Sequence, residues 1–117
     1  MEIVDLTALP VHSIEAFGSI GLSAAKLVRE PAAEVTVLRV EAGGKIGSHP
    51  APVGQLLVVL SGGGEVRSGD GPWLPIGAGQ AAFWAAGEEH ATRSKGGLTV
   101  LAIESTELCN KTANGTH

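Results

Sequence analysis

The 117-residue chain has few of the residues that support covalent or charge-driven chemistry. Its one cysteine, Cys109, excludes an intramolecular disulfide and any site built from two thiolates. Two tryptophans, two phenylalanines and no tyrosine leave little material for an aromatic platform. Twelve acidic side chains against eight basic ones give a net charge of −4, without a basic cluster. We therefore expect neither nucleic acid nor a membrane surface as a partner.

Long apolar runs are also missing from the sequence. No stretch reaches the roughly 18 apolar residues that a membrane-spanning helix needs. Residues 1–5 include two acids where a secretory signal would have bases, so we expect a cytoplasmic protein. The length fits one domain around one core.

Glycine and proline, by contrast, are abundant. Seventeen glycines and six prolines separate short segments rich in Val, Leu, Ile and Ala, which is typical of an all-β fold. We expect about eight strands after residue 33, with turns at 43–44 and 61–64 and a hairpin at 95–97. Closure into a barrel would remove the exposed edges of so many short strands.

The two ends of the chain are harder to interpret than its centre. Leu22–Arg29 could form one or two helical turns, but nearby glycines and Pro31 favour extended structure across the N-terminal segment 1–33. Residues 105–117, which include Cys109, are expected to form a C-terminal tail without chemical function.

One stretch, from Gly43 to Gly62, has a distinctive spacing. It resembles the first motif of the cupin superfamily: Gly, five residues, His-x-His, three residues, Glu, six residues, Gly. His49 matches the first histidine, whereas Ala51 stands at the second histidine and Gln55 at the glutamate. The spacing fits the family, although two of its four metal ligands are substituted.

A second stretch is similar to the other cupin motif, which reads Gly, five residues, Pro-x-Gly, two residues, His, three residues, Asn. Gly79, Gly87 and His90 match, while Ala85 and Ser94 replace the Pro and the Asn. The resemblance covers residues 34–104. It implies a cupin barrel, the double-stranded β-helix or jelly roll, and a homodimer that pairs through the segment 1–33.

In the family, the histidines and the glutamate of the two motifs bind one divalent metal. Carried over, the ligands here would be His49, Gln55 and His90, because Ala51 has no donor atom. Two imidazoles and an amide supply no negative charge, which disfavours iron but leaves Zn, Ni or Mn open. Glu88 shares strand phase with His90 and could supply a carboxylate.

Three functions remain open from the sequence. The barrel could bind a small molecule, with His49, Gln55 and His90 as polar contacts and Trp84 stacking near its mouth. Alternatively, these residues could hold a metal in an isomerase, decarboxylase or dioxygenase. In the third case, they form a hydrogen-bonded polar cluster in a filled barrel that binds nothing. His12 has no motif around it and is expected to be an exposed residue.

Overall fold

The computed structural model describes residues 1, 4–30 and 32–108. Its eight β-strands and two 3-10 turns confirm the all-β prediction, and the described residues contain no α-helix. Six of these strands lie from residue 33 onward, fewer than the eight predicted there, because two of them are long and continuous. No helix among them is long and apolar enough to cross a membrane. Cys109 and the rest of the expected tail beyond residue 108 lie outside the described residues. The strands are β1 His12–Ile14, β2 Ile20–Glu30, β3 Ala33–Pro50, β4 Gly54–Ser68, β5 Leu74–Gly77, β6 Ala81–Trp84, β7 Glu89–Arg93 and β8 Leu98–Ser105.

The barrel is closed by four long or medium strands, β3, β4, β7 and β8. The first half of β3 pairs with β8 and its second half with β7. Strand β4 does the same, pairing first with β8 and then with β7. The circuit β3–β8–β4–β7–β3 therefore closes on itself, as the predicted double-stranded β-helix requires.

The predicted turns at 43–44 and 61–64 are wrong, because the chain passes through both as continuous strand. Glycines let β3 and β4 bend there as they change partners. Gly62 shows why glycine is needed: its φ is 79°, and a Cβ at this position would lie 2.3 Å from the carbonyl oxygen of Gly97. The glycines mark bends in two long strands rather than the ends of four short ones.

The hairpin predicted at 95–97 is also wrong. Among the described residues, β7 and β8 form no ladder with each other, since each pairs with β3 and β4 instead. The connection at 94–97 carries the chain from one part of the barrel to the other. Sequence proximity of two strands did not reveal their partners.

The N-terminal segment extends the barrel sheet. Strand β2 pairs with β3, and β1 covers the start of β2 through partners such as His12 and Ala24. Leu22 and Ala24 are buried on the inner face, so Leu22–Arg29 is strand rather than helix.

The homodimer and the cytoplasmic location stay predictions.

The core lies between the inner faces of the strands. Along β4 and β8 buried residues alternate with less buried ones, so that Leu57, Val59 and Val100 are at most 1% exposed. Burial of each such side chain contributes about 1.5–3 kcal/mol. The polar residues on these same inner faces define the candidate site.

Candidate functional site

A cavity of about 260 Å³ opens between the strands of the barrel. Its wall is formed by nine apolar and nine polar side chains, and most of its surface is apolar, as is typical of a small-ligand site. The apolar lining is Ile14, Phe17, Leu22, Ala24, Leu38, Ile46, Leu57, Trp84 and Ala102. The polar lining is His12, Ser19, Lys26, Thr36, His49, Gln55, His90, Thr92 and Glu104.

The two motif histidines meet on this wall. His49 on β3 and His90 on β7 are direct cross-strand partners, and their ring centroids lie 4.3 Å apart. The Nδ1 atom of His49 is 2.8 Å from the carbonyl oxygen of Gly47, and that of His90 is 3.2 Å from the carbonyl oxygen of Glu88. Because a carbonyl only accepts, each Nδ1 is the donor, and the neutral ring has its lone pair on Nε2.

His90 is held in the neutral form by its surroundings. Only 3% of the residue is exposed, and burial lowers its pKa below the usual value of 6.5. The hydrogen bond to the Glu88 carbonyl acts in the opposite direction without reversing the shift, and His49 lowers the pKa further. At neutral pH the Nε2 atom of His90 is therefore a hydrogen-bond acceptor.

Gln55 on β4 brings a second acceptor to the wall. The residue is 8% exposed, and its Oε1 atom has no hydrogen-bond partner among the described residues. The same is true of His90 Nε2. Buried side-chain polar atoms are nearly always paired in folded proteins, so two unpaired acceptors in one cavity need an explanation.

The fourth predicted contact, Trp84, is buried in the wall rather than exposed at the mouth. It is 4% exposed and directly opposite Gln55 across β4 and β6, and its ring lies 4.6 Å from that of His90. The structure thus brings His49, Gln55, His90 and Trp84 to one cavity. Their role in binding stays a prediction.

The exposed aromatic residue at the rim is Phe17. It is 61% exposed, and its ring stacks on His49 with centroids 4.3 Å apart and an angle of 8°. Its backbone has a φ of 61°, which is uncommon for a bulky residue. Its carbonyl lies so close to Gly47 that a Cβ there would be 1.5 Å away, and Ser19 Oγ accepts a hydrogen bond from the Gly47 amide.

Charged residues that the sequence interpretation missed line the same cavity. Lys26 on β2 and Glu104 on β8 both face it, and so does His12, which is exposed as expected but contributes to the lining. The alternation of side chains along a strand was the sequence signal that could have identified Glu104. It lies two residues after Ala102 and four after Val100, on the same inward face of β8.

The orientation of the two histidines suits a metal ion, but the lack of negative charge among the donors does not. Metal-binding histidines usually donate Nδ1–H to a backbone carbonyl, as both histidines do here, and this leaves the lone pair of each Nε2 available. The third donor would be the neutral Gln55 amide. The described residues contain no group of three His, Cys, Asp or Glu side chains able to hold a metal ion.

Glu88 does not supply the missing carboxylate. Its side chain accepts hydrogen bonds from the hydroxyl of Ser68 and, at 2.9 Å, from the backbone N–H of Ala85. It therefore stabilises the turn before β7 and does not line the cavity. Ala51, at the position of the second histidine, is also absent from the cavity lining and follows the end of β3.

Comparison with known proteins identifies the family. The Cupin_2 family, described as a cupin domain, matches residues 36–104, which is more than half of the chain. The protein therefore belongs to the cupin superfamily, as the two motifs predicted. A search of curated proteins found no match.

Solved structures share the fold at low sequence identity. One from Thermotoga maritima, described as a predicted oxalate decarboxylase, has a TM-score of 0.80 at 23% identity and covers 89% of this chain and 98% of that one. The polyketide cyclase RemF from Streptomyces resistomycificus has a TM-score of 0.81 at 21% identity, covering 92% and 80%. KdgF from Halomonas sp. has a TM-score of 0.73 at 16% identity, covering 85% and 89%. These likenesses show the fold alone.

Proposed function

We propose that this cupin binds a small, largely apolar organic molecule inside its barrel. The observation that carries the proposal is the pair of buried, unpaired acceptors, Gln55 Oε1 and His90 Nε2, on the wall of a mainly apolar cavity. Leaving such an atom unpaired costs about 1–3 kcal/mol. A ligand that donates hydrogen bonds to both atoms removes this cost and buries its apolar body against the wall.

The size of the cavity limits the ligand to a small molecule. A dry apolar cavity of about 150 Å³ holds benzene. The cavity here is about 260 Å³, which leaves room for one ring and a short substituent. His49 and Trp84 also line the cavity, and their rings pack against the ring of His90.

A cavity-filling variant tests this proposal. Ala102 lies in the wall and is 2% exposed, so Ala102→Leu would occupy the ligand's space with an apolar side chain. We expect a thermal-shift screen of phenols, amines, small acids and sugars to yield a ligand of the wild-type protein. A ligand at 100 times its Kd adds about 2.7 kcal/mol to stability.

The same ligand should not stabilise Ala102→Leu. The matched control is Ala81→Leu, an exposed position on β6 outside the cavity, which should keep the ligand-induced shift. Absence of any ligand in the screen, or an equal shift in the Ala102→Leu variant, would reject binding in the barrel.

A second candidate is a metal-dependent enzyme, an isomerase, decarboxylase or dioxygenase, with His49, Gln55 and His90 as ligands. The observation that favours it is the Nδ1-to-carbonyl hydrogen bond of both histidines, which leaves two Nε2 lone pairs available. Zn, Ni or Mn bound there would polarise a substrate carbonyl or lower the pKa of a bound water. The chain's own residues would orient the substrate and exclude bulk water.

Elemental analysis of protein purified without chelator or affinity tag tests the metal candidate. A stoichiometric metal that is lost in His49→Ala and in His90→Ala would support it. Gln55→Glu should then tighten metal binding, because it adds the missing negative charge. Unchanged or weaker metal affinity in Gln55→Glu would exclude Gln55 as a ligand.

A further inference from the structure

Two buried side-chain atoms of residues on the cavity wall, Gln55 Oε1 and His90 Nε2, have no partner among the described residues, and both are acceptors. Two further acceptors of lining residues, His49 Nε2 and the Glu104 carboxylate, also have no side-chain partner among the described residues. The cation on the wall, Lys26, is already engaged: its Nζ donates to Thr36 Oγ1 at 3.1 Å and lies 3.0 Å from Glu34 Oε1. Of the ammonium and the carboxylate on the cavity wall, Glu104 is therefore the one without an ion pair among the described residues.

We propose that the ligand class is a small organic cation, an ammonium or amidinium on an apolar body, with Glu104 as its counter-charge. This inference rests on the proposed binding function and names the chemistry of the ligand. A cationic donor can satisfy several acceptors at once through charge-assisted hydrogen bonds. A carboxylate ligand would face the same acceptors with lone pairs and a repelling charge.

The strand ladder places the required groups side by side. Gln55 on β4 is opposite Glu104 on β8 and opposite Trp84 on β6, and all three line the cavity. Residues directly opposite in an antiparallel pair have Cβ atoms about 4.5–5.5 Å apart on the same face. A carboxylate, an amide oxygen and an indole ring thus form one row. These are the three groups that recognise an ammonium by charge, by hydrogen bonding and by its attraction to a ring face.

The second strand neighbour of Glu104 gives it no counter-charge either. Its direct partner on β3 is Glu34, another carboxylate. Lys26 forms an ion pair with Glu34 but has no contact with Glu104 among the described residues. A cationic ligand beside the half-buried Glu104 would supply the positive charge that the described residues do not.

Three probes with one ring test the inference: 2-phenylethylamine, 2-phenylethanol and phenylacetate, titrated calorimetrically with EDTA present to exclude metal. We expect the ammonium probe to bind about tenfold more tightly than the alcohol, and phenylacetate to bind most weakly. Glu104→Gln should reduce binding of the ammonium probe to the level of the alcohol. Glu107→Gln, which changes an exposed carboxylate outside the cavity, is the control and should leave all three affinities unchanged.

A second measurement separates lost binding from lost folding. Because Glu104 has no partner among the described residues, Glu104→Gln should leave the melting temperature of the unliganded protein unchanged or raise it, while it lowers ammonium affinity. Equal or tighter binding of phenylacetate, or an ammonium affinity unchanged in Glu104→Gln, would overturn the cation class. If none of the three probes binds but another apolar probe of the wider screen does, the cation class is rejected and barrel binding stands. If nothing binds at all, both proposals fail.

Discussion

Buried polar residues at the two ends of strand β7 differ in whether their hydrogen bonds are satisfied. Ser94, just after the strand, is 3% exposed, and its hydroxyl donates to the Gly63 carbonyl at 2.6 Å and accepts from the Gly97 N–H at 2.9 Å. His90, near the start of the strand, is equally buried, but its Nε2 has no partner in the part of the chain that the structure describes. The same strand thus has a satisfied polar group at one end and an unsatisfied one at the other.

This difference separates a structural polar residue from a candidate binding residue. The hydrogen bonds of Ser94 stay within the barrel, where they connect β4 to the chain between β7 and β8. His90 and Gln55, each with one unpaired buried atom, line a cavity large enough for another molecule. Proteins that depart from full hydrogen bonding in their interior do so mainly at functional sites.

The largest predicted loss of stability is at the satisfied end. Ser94→Ala would leave the Gly63 carbonyl and the Gly97 N–H without their buried partner, so we expect a loss of about 2 kcal/mol in the free energy of unfolding. Urea denaturation measures this loss, and Ser61→Ala, at an exposed position, should change little. Ligand affinity should not change in Ser94→Ala, because Ser94 does not line the cavity. If Ser94→Ala left the free energy of unfolding unchanged, the contrast between a structural Ser94 and an unsatisfied His90 would be wrong.

At the unsatisfied end, the expected stability effect is smaller and of opposite sign. Gln55→Leu replaces an unpaired buried amide by an apolar side chain of similar size, so we expect stability to be unchanged or to rise by up to about 1 kcal/mol. Affinity for the ligand found in the screen should fall by about tenfold. A destabilisation comparable to that of Ser94→Ala would mean that Gln55 is part of the barrel's own hydrogen bonding.

The smallest predicted effect is a pH dependence due to His90. Its folded-state pKa is lowered by burial, whereas the unfolded chain has the ordinary value near 6.5. As the pH falls below about 6.5, the unfolded state therefore takes up the proton first, and stability decreases until the pH reaches the folded-state pKa. Above about 6.5 this contribution to stability is fully present.

The variant His90→Gln isolates this contribution. We expect the stability of the wild-type protein to fall more between pH 7 and pH 5 than that of His90→Gln, as measured by urea denaturation at each pH. The two proteins should show the same pH dependence above about 7, where His90 is neutral in both the folded and the unfolded state. Identical curves below pH 6.5 would mean that burial does not hold His90 neutral.

Much of the fold could be predicted from local spacing in the sequence. Gly43, Gly62, Gly79, Gly87 and His90 stand at the intervals of the two cupin motifs, and the barrel and its family followed from them. The turn positions failed for a physical reason. Glycine signals that the backbone departs from a straight strand, but the same signal serves a bend within a strand and a turn between two.

The candidate site was predicted in part. His49, Gln55, His90 and Trp84 were named from the motifs, and the structure brings them to one cavity. Glu104 was missed because no motif includes it and its inward direction depends on the register of β8 against β4. Lys26, Phe17 and His12 belong to the segment whose pairing with β3 could not be inferred from spacing.

By itself, the sequence determined the family, the barrel class and the chemical types available at the motif positions, because those depend on residue identity and on separations along one chain. Only the tertiary structure decided which of the described atoms remain unpaired, and that Glu104 stands between Glu34 and Gln55 without a counter-charge among the described residues. Whether a polar group has a hydrogen-bond partner depends on residues distant in sequence, which the closed barrel brings next to one another. The ligand preference of this cupin is therefore inferred from its barrel rather than from its motifs.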